Sequence, residues 1–196
     1  MKIIGLTGYI GSGKSTVSKM FASKGVYYFD SDAYVSSLNN KKNVISELQI
    51  YFPNCIINGV LNKTLLRNEV FNNYKENISI LEKIYHPYVY KRVKRLILIS
   101  KVLFRKIILL EVPLLFQSKI NELCDLTILV KCSTEIQIER VIKRSKNLMK
   151  IEDLNKIMEK QKLLNYDSIQ FNYIIDTDDS LEKISNRVEN ILKEIM

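Results

Sequence analysis

Cysteine is scarce in this sequence, and its spacing argues against two kinds of cysteine chemistry. Three cysteines, Cys55, Cys124 and Cys132, are scattered along 196 residues without a C-x-x-C pair. This pattern predicts neither a cysteine-ligated zinc site nor a disulfide framework. Unpaired thiols are typical of proteins in a reducing compartment, so we expect the chain to be cytoplasmic.

A long hydrophobic run is also missing. No apolar stretch approaches the about 20 residues that a membrane-spanning helix needs. The apolar stretch after Lys2 is interrupted by Gly5 and Gly8, which argues against a secretory signal peptide. With 46% hydrophobic residues the chain can bury a core, and its length fits one domain with or without insertions. We therefore expect no membrane partner.

Acidic residues are outnumbered by basic ones. There are 21 Asp and Glu against 30 Lys and Arg, which gives a formal net charge of +9. Nucleic-acid binding is one interpretation of this excess. The other interpretation is that most lysines are simply solvated and that a few cations bind a small phosphorylated ligand. We favour this second interpretation, because no helix-turn-helix, zinc-finger or RNP-type pattern accompanies the charge. We expect no nucleic-acid partner, and a monomer or weak homo-oligomer.

Glycine is rare and concentrated near the amino terminus, with five of the six glycines in the first 25 residues. Residues 8–15, Gly-Tyr-Ile-Gly-Ser-Gly-Lys-Ser, match the G-x-x-x-x-G-K-[ST] pattern of the P-loop. An apolar run at 3–6 predicts a buried strand before this pattern, and residues 14–24 predict a helix after it. The alternative is an ordinary glycine-rich turn that binds nothing, but the flanking strand and helix favour a phosphate site.

The residue types in this loop are those that phosphate binding requires. Backbone N–H groups cradle phosphate oxygens where no Cβ intrudes, and the positive end of a helix dipole points at the same anion. Lys14 is predicted to reach the β- and γ-phosphates of ATP, and the Ser15 hydroxyl to ligate Mg²⁺. The predicted nucleotide-binding residues are Gly11, Ser12, Gly13, Lys14, Ser15 and Thr16.

Four more apolar runs, at 26–29, 107–110, 126–130 and 173–176, predict further strands. A strand, a helix and a second strand within the first thirty residues imply a right-handed crossover and a parallel sheet. We predict an α/β fold, a P-loop kinase three-layer sandwich with a five-stranded parallel sheet. Its core would cover about 1–36 and 101–196, with a helical insertion at about 37–100, which the family resemblance described below implies to be substrate-binding, and a short lid at about 145–152.

Two acidic residues, Asp30 and Asp32, follow the second predicted strand. Open parallel sheets bind ligands at this carboxyl edge, where either acid could accept the proton of an attacking hydroxyl in phosphoryl transfer. Alternatively, Ser31 or Asp32 caps a helix that begins at Ala33. The residues leave both roles open, and the roles are not exclusive.

The stretch from 37 to 100 has mostly helical periodicity, with helices predicted over 61–71 and 78–99 and a loop at 53–59. Pro87 is expected to start or kink a helix, because proline lacks an N–H donor. His86 is the single histidine. On its own it is expected to be a structural or packing residue.

Two later segments carry candidate charges. Glu111 follows the apolar run 107–110 and has the form of a Walker B acid, which supports Mg²⁺. A helix from Thr134 is predicted to bury Ile136, Ile138, Val141 and Ile142 and to place Gln137, Arg140 and Arg144 on one face. Two arginines there suit a bidentate phosphate clamp, with a solvated basic stripe as the alternative. The polar stretch at 145–150 is typical of a lid.

Several short stretches occur in a recognisable order. They are residues 4–17, Phe29-Asp30-Ser31-Asp32, Leu66-Arg67 with Val70-Phe71, His86-Pro87, Val112-Pro113-Leu114-Leu115-Phe116, Gln137 with Arg140 and Arg144, and Gln161 with Ile175-Asp176. This ordered set resembles the dephospho-coenzyme A kinase family from end to end. The chain departs from the family pattern at Tyr9, Lys63, Gln117, Asp167, Gln170 and Thr177, and in a lid about two residues longer.

The resemblance implies transfer of the γ-phosphoryl group of ATP to the ribose 3′-hydroxyl of dephospho-CoA, which gives CoA and ADP in the last step of CoA synthesis. It implies Asp32 as catalytic base, Lys14 and Arg140 as catalytic cations, Arg144 as a nucleotide contact, and substrate contacts at Asp32, Arg67, His86 and Pro113. ATP and Mg²⁺ are the expected cofactors. The rival interpretations are another small-molecule or nucleotide P-loop kinase and a non-catalytic nucleotide-binding homologue.

Overall fold

The computed structural model describes residues 1–145 and 149–196. Within this part the chain forms two compact units. The first contains residues 1–30 and 93–196, and the second contains residues 31–92. The predicted lid falls partly outside the described residues, since positions 146–148 are not among them.

The first unit is built on a sheet of five strands, all parallel, in the order β2-β5-β1-β6-β7. The strands are β1 (Lys2–Gly8), β2 (Tyr27–Asp30), β5 (Ile107–Glu111), β6 (Leu126–Lys131) and β7 (Tyr173–Asp176). The predicted α/β fold with a five-stranded parallel sheet is confirmed. Each predicted strand lies within two residues of its position in the structure.

Helices α1 (Lys14–Ser23), α6 (Thr134–Arg144), α7 (Ile151–Lys162) and α8 (Leu181–Ile195) belong to the same unit. The central strands β1, β5 and β6 consist mostly of buried apolar residues, because a parallel strand inside the sheet is covered on both faces. One core cluster joins alternate residues of β1, such as Ile4 and Leu6, to Val17 and Phe21 of α1 and Val188 of α8. The prediction that α6 buries its isoleucines was wrong, since its buried residues are Gln137 and Val141.

The register of the sheet brings three strand ends to one edge. Gly8 at the end of β1 lies opposite Val130 of β6. Asp30 at the end of β2 lies opposite Glu111 at the end of β5. Parallel strands have their carboxyl ends on the same side, so Gly8, Asp30 and Glu111 share that edge.

The second unit is mostly helical. It contains α2 (Ser31–Leu38), α3 (Lys42–Tyr51), α4 (Lys63–Asn72) and the residues before Val93 of α5 (Tyr74–Val102). The predicted loop at 53–59 was wrong. It contains a 3₁₀ turn, Pro53–Cys55, and half of a hairpin between β3 (Ile56–Ile57) and β4 (Val60–Leu61).

Two helix boundaries in the second unit also differ from the prediction. Pro87, which was expected to start or kink a helix, lies inside α5 and so does not start one, while the kink stays a prediction. Buried residues on either side of it, Ile84 and Val89, anchor the helix, and their burial offsets the loss of a single N–H donor. Asn62 caps α4, since its side chain accepts hydrogen bonds from the N–H groups of Thr64 and Leu65.

In the described residues, no helix combines the length and apolar character needed to cross a membrane.

Candidate active site

The loop after β1 has the backbone that its glycines predict. Gly11 and Gly13 have φ angles of +76° and +90°, a region that side chains with a Cβ rarely adopt. Gly13 is the N-cap residue of α1. A Cβ on Gly11 would lie 2.6 Å from the carbonyl oxygen of Gln137. Glycine is therefore required at Gly11 both by the backbone angle of the turn and by the close approach of α6 to the loop.

Lys14 bends back over this loop. Its Nζ donates hydrogen bonds to the carbonyl oxygens of Gly8 and Tyr9, both at 2.9 Å. These bonds fix the ammonium group at the mouth of the turn, where a P-loop lysine contacts phosphate. The contact of Lys14 with the nucleotide phosphates stays a prediction.

Ser15 and Glu111 meet across the sheet edge. The Ser15 hydroxyl donates to Glu111 Oε1 at 2.8 Å. Glu111 is only 5% exposed. Burial raises the pKa of the Glu111 carboxyl, while the Ser15 hydrogen bond and the Lys14 charge oppose the shift. The acid predicted at the end of this strand thus contacts the P-loop hydroxyl directly.

Arg140 is tied to the loop that follows β7. Its guanidinium donates to the hydroxyl and the carbonyl oxygen of Thr177, both at 2.8 Å. The Thr177 hydroxyl in turn donates to the carbonyl oxygen of Ser12 in the P-loop, also at 2.8 Å. Arg140 is therefore not part of a solvated stripe, whereas Arg144 is exposed at the last position of α6.

Thr177 was noted in the sequence only as a departure from the family pattern, and its role was missed. It is buried and connects α6, β7 and the P-loop through one hydroxyl. A single threonine after a predicted strand carries no periodic signal, and its partners lie 37 and 165 residues away. Sequence reasoning could not have paired these residues.

Pro113 follows β5 and provides a main-chain acceptor. Its carbonyl oxygen accepts hydrogen bonds from Thr7 Oγ1 at 3.0 Å and from the Tyr166 hydroxyl at 2.8 Å. Tyr166 also stacks on Tyr9, with ring centroids 4.8 Å apart. Thr7 and Tyr166 were not predicted as parts of the site.

Three predicted site residues, Asp32, Arg67 and His86, belong to the second unit. Asp32 is exposed in the first turn of α2. The alternative in which Ser31 or Asp32 caps this helix is not supported, because both residues lie within the helix. Arg67 lies on α4 with its guanidinium 5.8 Å from the ring of Phe71, and His86 is half-buried on α5.

Two of the cavities formed by the described residues lie in the first unit. One, of about 200 Å³, is beside the P-loop and is lined by Tyr9, Thr134, Gln137, Met158, Gln161, Lys162 and Asp167. Another, of about 640 Å³, includes Tyr27 and Ile107 at the amino ends of β2 and β5. The second cavity is the larger, but it is at the sheet edge opposite the P-loop and is not part of the candidate site.

A P-loop at the end of a central parallel strand, with a buried acid at the end of its neighbour, is typical of the P-loop nucleotide-binding proteins, a class that includes phosphotransferases. A family model described as dephospho-CoA kinase matches residues 2–183. The chain belongs to the dephospho-CoA kinase family.

Individual relatives agree with this membership. The chain is 37% identical, over 98% of both chains, to the dephospho-CoA kinase of Fusobacterium nucleatum subsp. nucleatum. It is similar in fold to the crystal structure of TT1252 from Thermus thermophilus, with a TM-score of 0.74, 28% identity, and coverage of 100% and 98% of the two chains. A shikimate kinase structure from Bacteroides thetaiotaomicron shares the fold, with a TM-score of 0.57, 15% identity and 98% coverage of both chains.

Proposed function

We propose that this chain transfers the γ-phosphoryl group of ATP to the ribose 3′-hydroxyl of dephospho-CoA and that the predicted site residues carry out the transfer. The hydroxyl oxygen bonds to the γ-phosphorus, and the bond from that phosphorus to the β–γ bridging oxygen breaks. The products are CoA and ADP. The observation that carries the proposal is the family match over residues 2–183, together with an intact P-loop in that span.

Positively charged groups would balance the migrating charge. Lys14 and Arg140 belong to the same compact unit, and Arg140 is held at the P-loop through Thr177. Arg144 follows Arg140 by one helical turn and is exposed, so it is free to reach a nucleotide phosphate from the same side. In phosphoryl transfer most of the rate comes from such positioning and charge neutralisation.

The residues present fit a magnesium ion. Glu111 Oε2 is buried and has no hydrogen-bond partner in the described part of the chain, and Oε1 already contacts Ser15. Hydroxyl and carboxylate oxygens are the ligands that Mg²⁺ takes together with nucleotide phosphates. We propose that Ser15 holds the ion and that Glu111 supports it. The bound ion would neutralise phosphate charge.

The acceptor hydroxyl must lose a proton during transfer. We propose that Asp32 accepts it, because Asp32 is exposed in the first turn of α2 and occupies the position that the family motif implies for the base. Asp32, Arg67, His86 and Pro113 are the proposed contacts for dephospho-CoA. Their assignment rests on the family motifs, and each contact can be tested by substitution. We also propose a cytoplasmic location and a monomer or weak homo-oligomer.

The decisive experiment is an acceptor panel with purified protein, ATP and Mg²⁺. Dephospho-CoA, shikimate, a deoxynucleoside and a nucleoside monophosphate would each be supplied, with ADP release and product mass as readouts. Of the four acceptors, we expect only dephospho-CoA to give rapid ADP release. Its product should be heavier than dephospho-CoA by one phosphoryl group. Preference for another acceptor would replace the proposed substrate. ATP binding without turnover on any acceptor would support a non-catalytic homologue.

A further inference from the structure

One main-chain amide of the P-loop is occupied by a side chain from a distant helix. The N–H of Ile10 donates to Gln161 Oε1, at 2.7 Å. Gln161 lies near the end of α7, 151 residues further along the chain. P-loop amides usually point at phosphate oxygens, so an amide directed instead at a glutamine carbonyl points away from the anion site.

The Ile10 N–H and the Tyr9 carbonyl belong to one peptide group. A peptide group is planar and, when trans, its N–H and C=O point in opposite directions. No peptide bond in the described residues is cis. With its N–H directed at Gln161, the Tyr9 carbonyl therefore points the other way, and it accepts a hydrogen bond from Lys14 Nζ at 2.9 Å.

The same peptide group thus connects Gln161 to Lys14. A carbonyl that accepts from a cation is polarised, which makes the N–H of its peptide group a better donor, so the two hydrogen bonds strengthen each other. We infer that Gln161 is a positioning residue for Lys14, acting through the orientation of the Tyr9–Ile10 peptide group.

Tyr166 supports this arrangement from the same segment of the chain. Its ring stacks on Tyr9, and its buried hydroxyl bonds to the Pro113 carbonyl and lies 3.0 Å from Thr7 Oγ1. Thr7 and Tyr9 are on the two sides of Gly8, whose carbonyl is the second acceptor for Lys14. Both acceptors of the lysine are therefore fixed by residues that follow the predicted lid.

The inference rests on the proposed use of Lys14 to bind ATP, and a double-mutant cycle tests it. Gln161→Met keeps the length of the side chain but removes the acceptor. Losing one hydrogen bond of this kind costs about 0.5–1.5 kcal/mol, so we expect ATP binding to weaken roughly 3–10-fold. In a Lys14→Met background, the same substitution should change the affinity less than roughly 2-fold, because no lysine remains to be positioned.

Equal effects of Gln161→Met in the two backgrounds would overturn the inference and leave Gln161 as a structural contact between α7 and the core. Gln161→Glu keeps an acceptor oxygen and is the conservative variant, expected to retain the position of the loop. Melting temperatures of all variants separate loss of fold from loss of coupling. The double-mutant cycle measures ATP affinity and not turnover. If the wild-type chain failed to phosphorylate dephospho-CoA, the proposed reaction would be wrong, but the cycle would still test the role of Gln161.

Discussion

Glu111 and Asp32 are acids whose surroundings suit different tasks. Glu111 is buried, and its pKa is raised chiefly by that burial, which opposes the charged form unless a cation is close. Asp32 is instead exposed in the first turn of α2, where a carboxylate is accessible to an incoming hydroxyl group. A buried acid that needs a cation fits support of a metal, and an exposed acid at a helix start fits acceptance of a proton.

Asp32→Asn removes the proposed proton acceptor and keeps the shape of the side chain. We expect kcat with dephospho-CoA to fall by about 10²–10⁴-fold, the usual loss when a general base is removed. ATP affinity should be nearly unchanged. Steady-state kinetics and an ATP titration on the same preparation measure both quantities.

Asp30→Asn is the matched control, because Asp30 is two residues away at the end of β2. A smaller loss of kcat in this variant than in Asp32→Asn is expected. The reverse order would transfer the role of base to Asp30.

At the scale of elements, the P-loop depends on how closely β1 and β6 approach each other. Gly8 and Val130 are paired in the sheet, and a Cβ on Gly8 would lie 2.1 Å from the Val130 carbonyl oxygen. No rotation of a side chain relieves a clash with main-chain oxygen. Gly8 is therefore required by the sheet as well as by the phosphate site.

Gly8→Ala should destabilise the fold by roughly 3 kcal/mol or more, as other severe clashes in packed regions do. Gly25→Ala is the control, because a Cβ there meets nothing within 4 Å and only its φ of +86° is unfavourable. We expect about 1 kcal/mol for that variant. Urea unfolding of both proteins measures the difference, and similar losses would show that the close approach at Gly8 is not what requires glycine.

The Thr177 hydroxyl accepts a hydrogen bond from Arg140 and donates one to the P-loop, so its removal should loosen the position of the Arg140 guanidinium. Thr177→Val keeps the volume of the side chain and removes the acceptor for the guanidinium. A hydrogen bond to a charged group contributes about 1.5–3 kcal/mol, so we expect kcat/KM for ATP to fall roughly 10–100-fold. Thr177→Ser, which retains the hydroxyl, should stay within roughly 3-fold of wild type, and an equal loss in both would assign the effect to packing.

At the scale of the whole molecule, the chain is divided into a unit that holds the P-loop and a unit that holds Asp32, Arg67 and His86. The P-loop is thus carried by one unit, and the proposed acceptor contacts other than Pro113 are carried by the other. Nucleotide binding should therefore be measurable as a property of the P-loop unit, independently of the acceptor.

Saturating ATP with Mg²⁺ should stabilise the protein against heat. At a concentration 100 times Kd, the ligand contributes about 2.7 kcal/mol. For a chain of this size that corresponds to an increase in Tm of about 5–10 °C. In Lys14→Ala the increase should be much smaller at the same concentration, and an equal increase in a thermal-shift assay would argue against the role of Lys14.

The sequence by itself determined the class of fold and the nucleotide loop, because both depend on local pattern. Runs of four or five mostly apolar residues predict the parallel strands, and the glycine spacing with Lys14 and Ser15 predicts the P-loop. Motif order also determined the family, since the stretches from residues 4–17 to Asp176 each carry a recognisable residue set.

The tertiary structure alone decided the contacts between distant segments. Three hydrogen-bonded pairs join residues that are 96, 37 and 151 positions apart. They are Ser15 with Glu111, Arg140 with Thr177, and Ile10 with Gln161. No periodicity links such residues, because their meeting depends on strand order and on the packing of α6 and α7 against the loop. For the same reason the continuity of α5 through Pro87 follows from burial on both sides of the proline and not from local propensity.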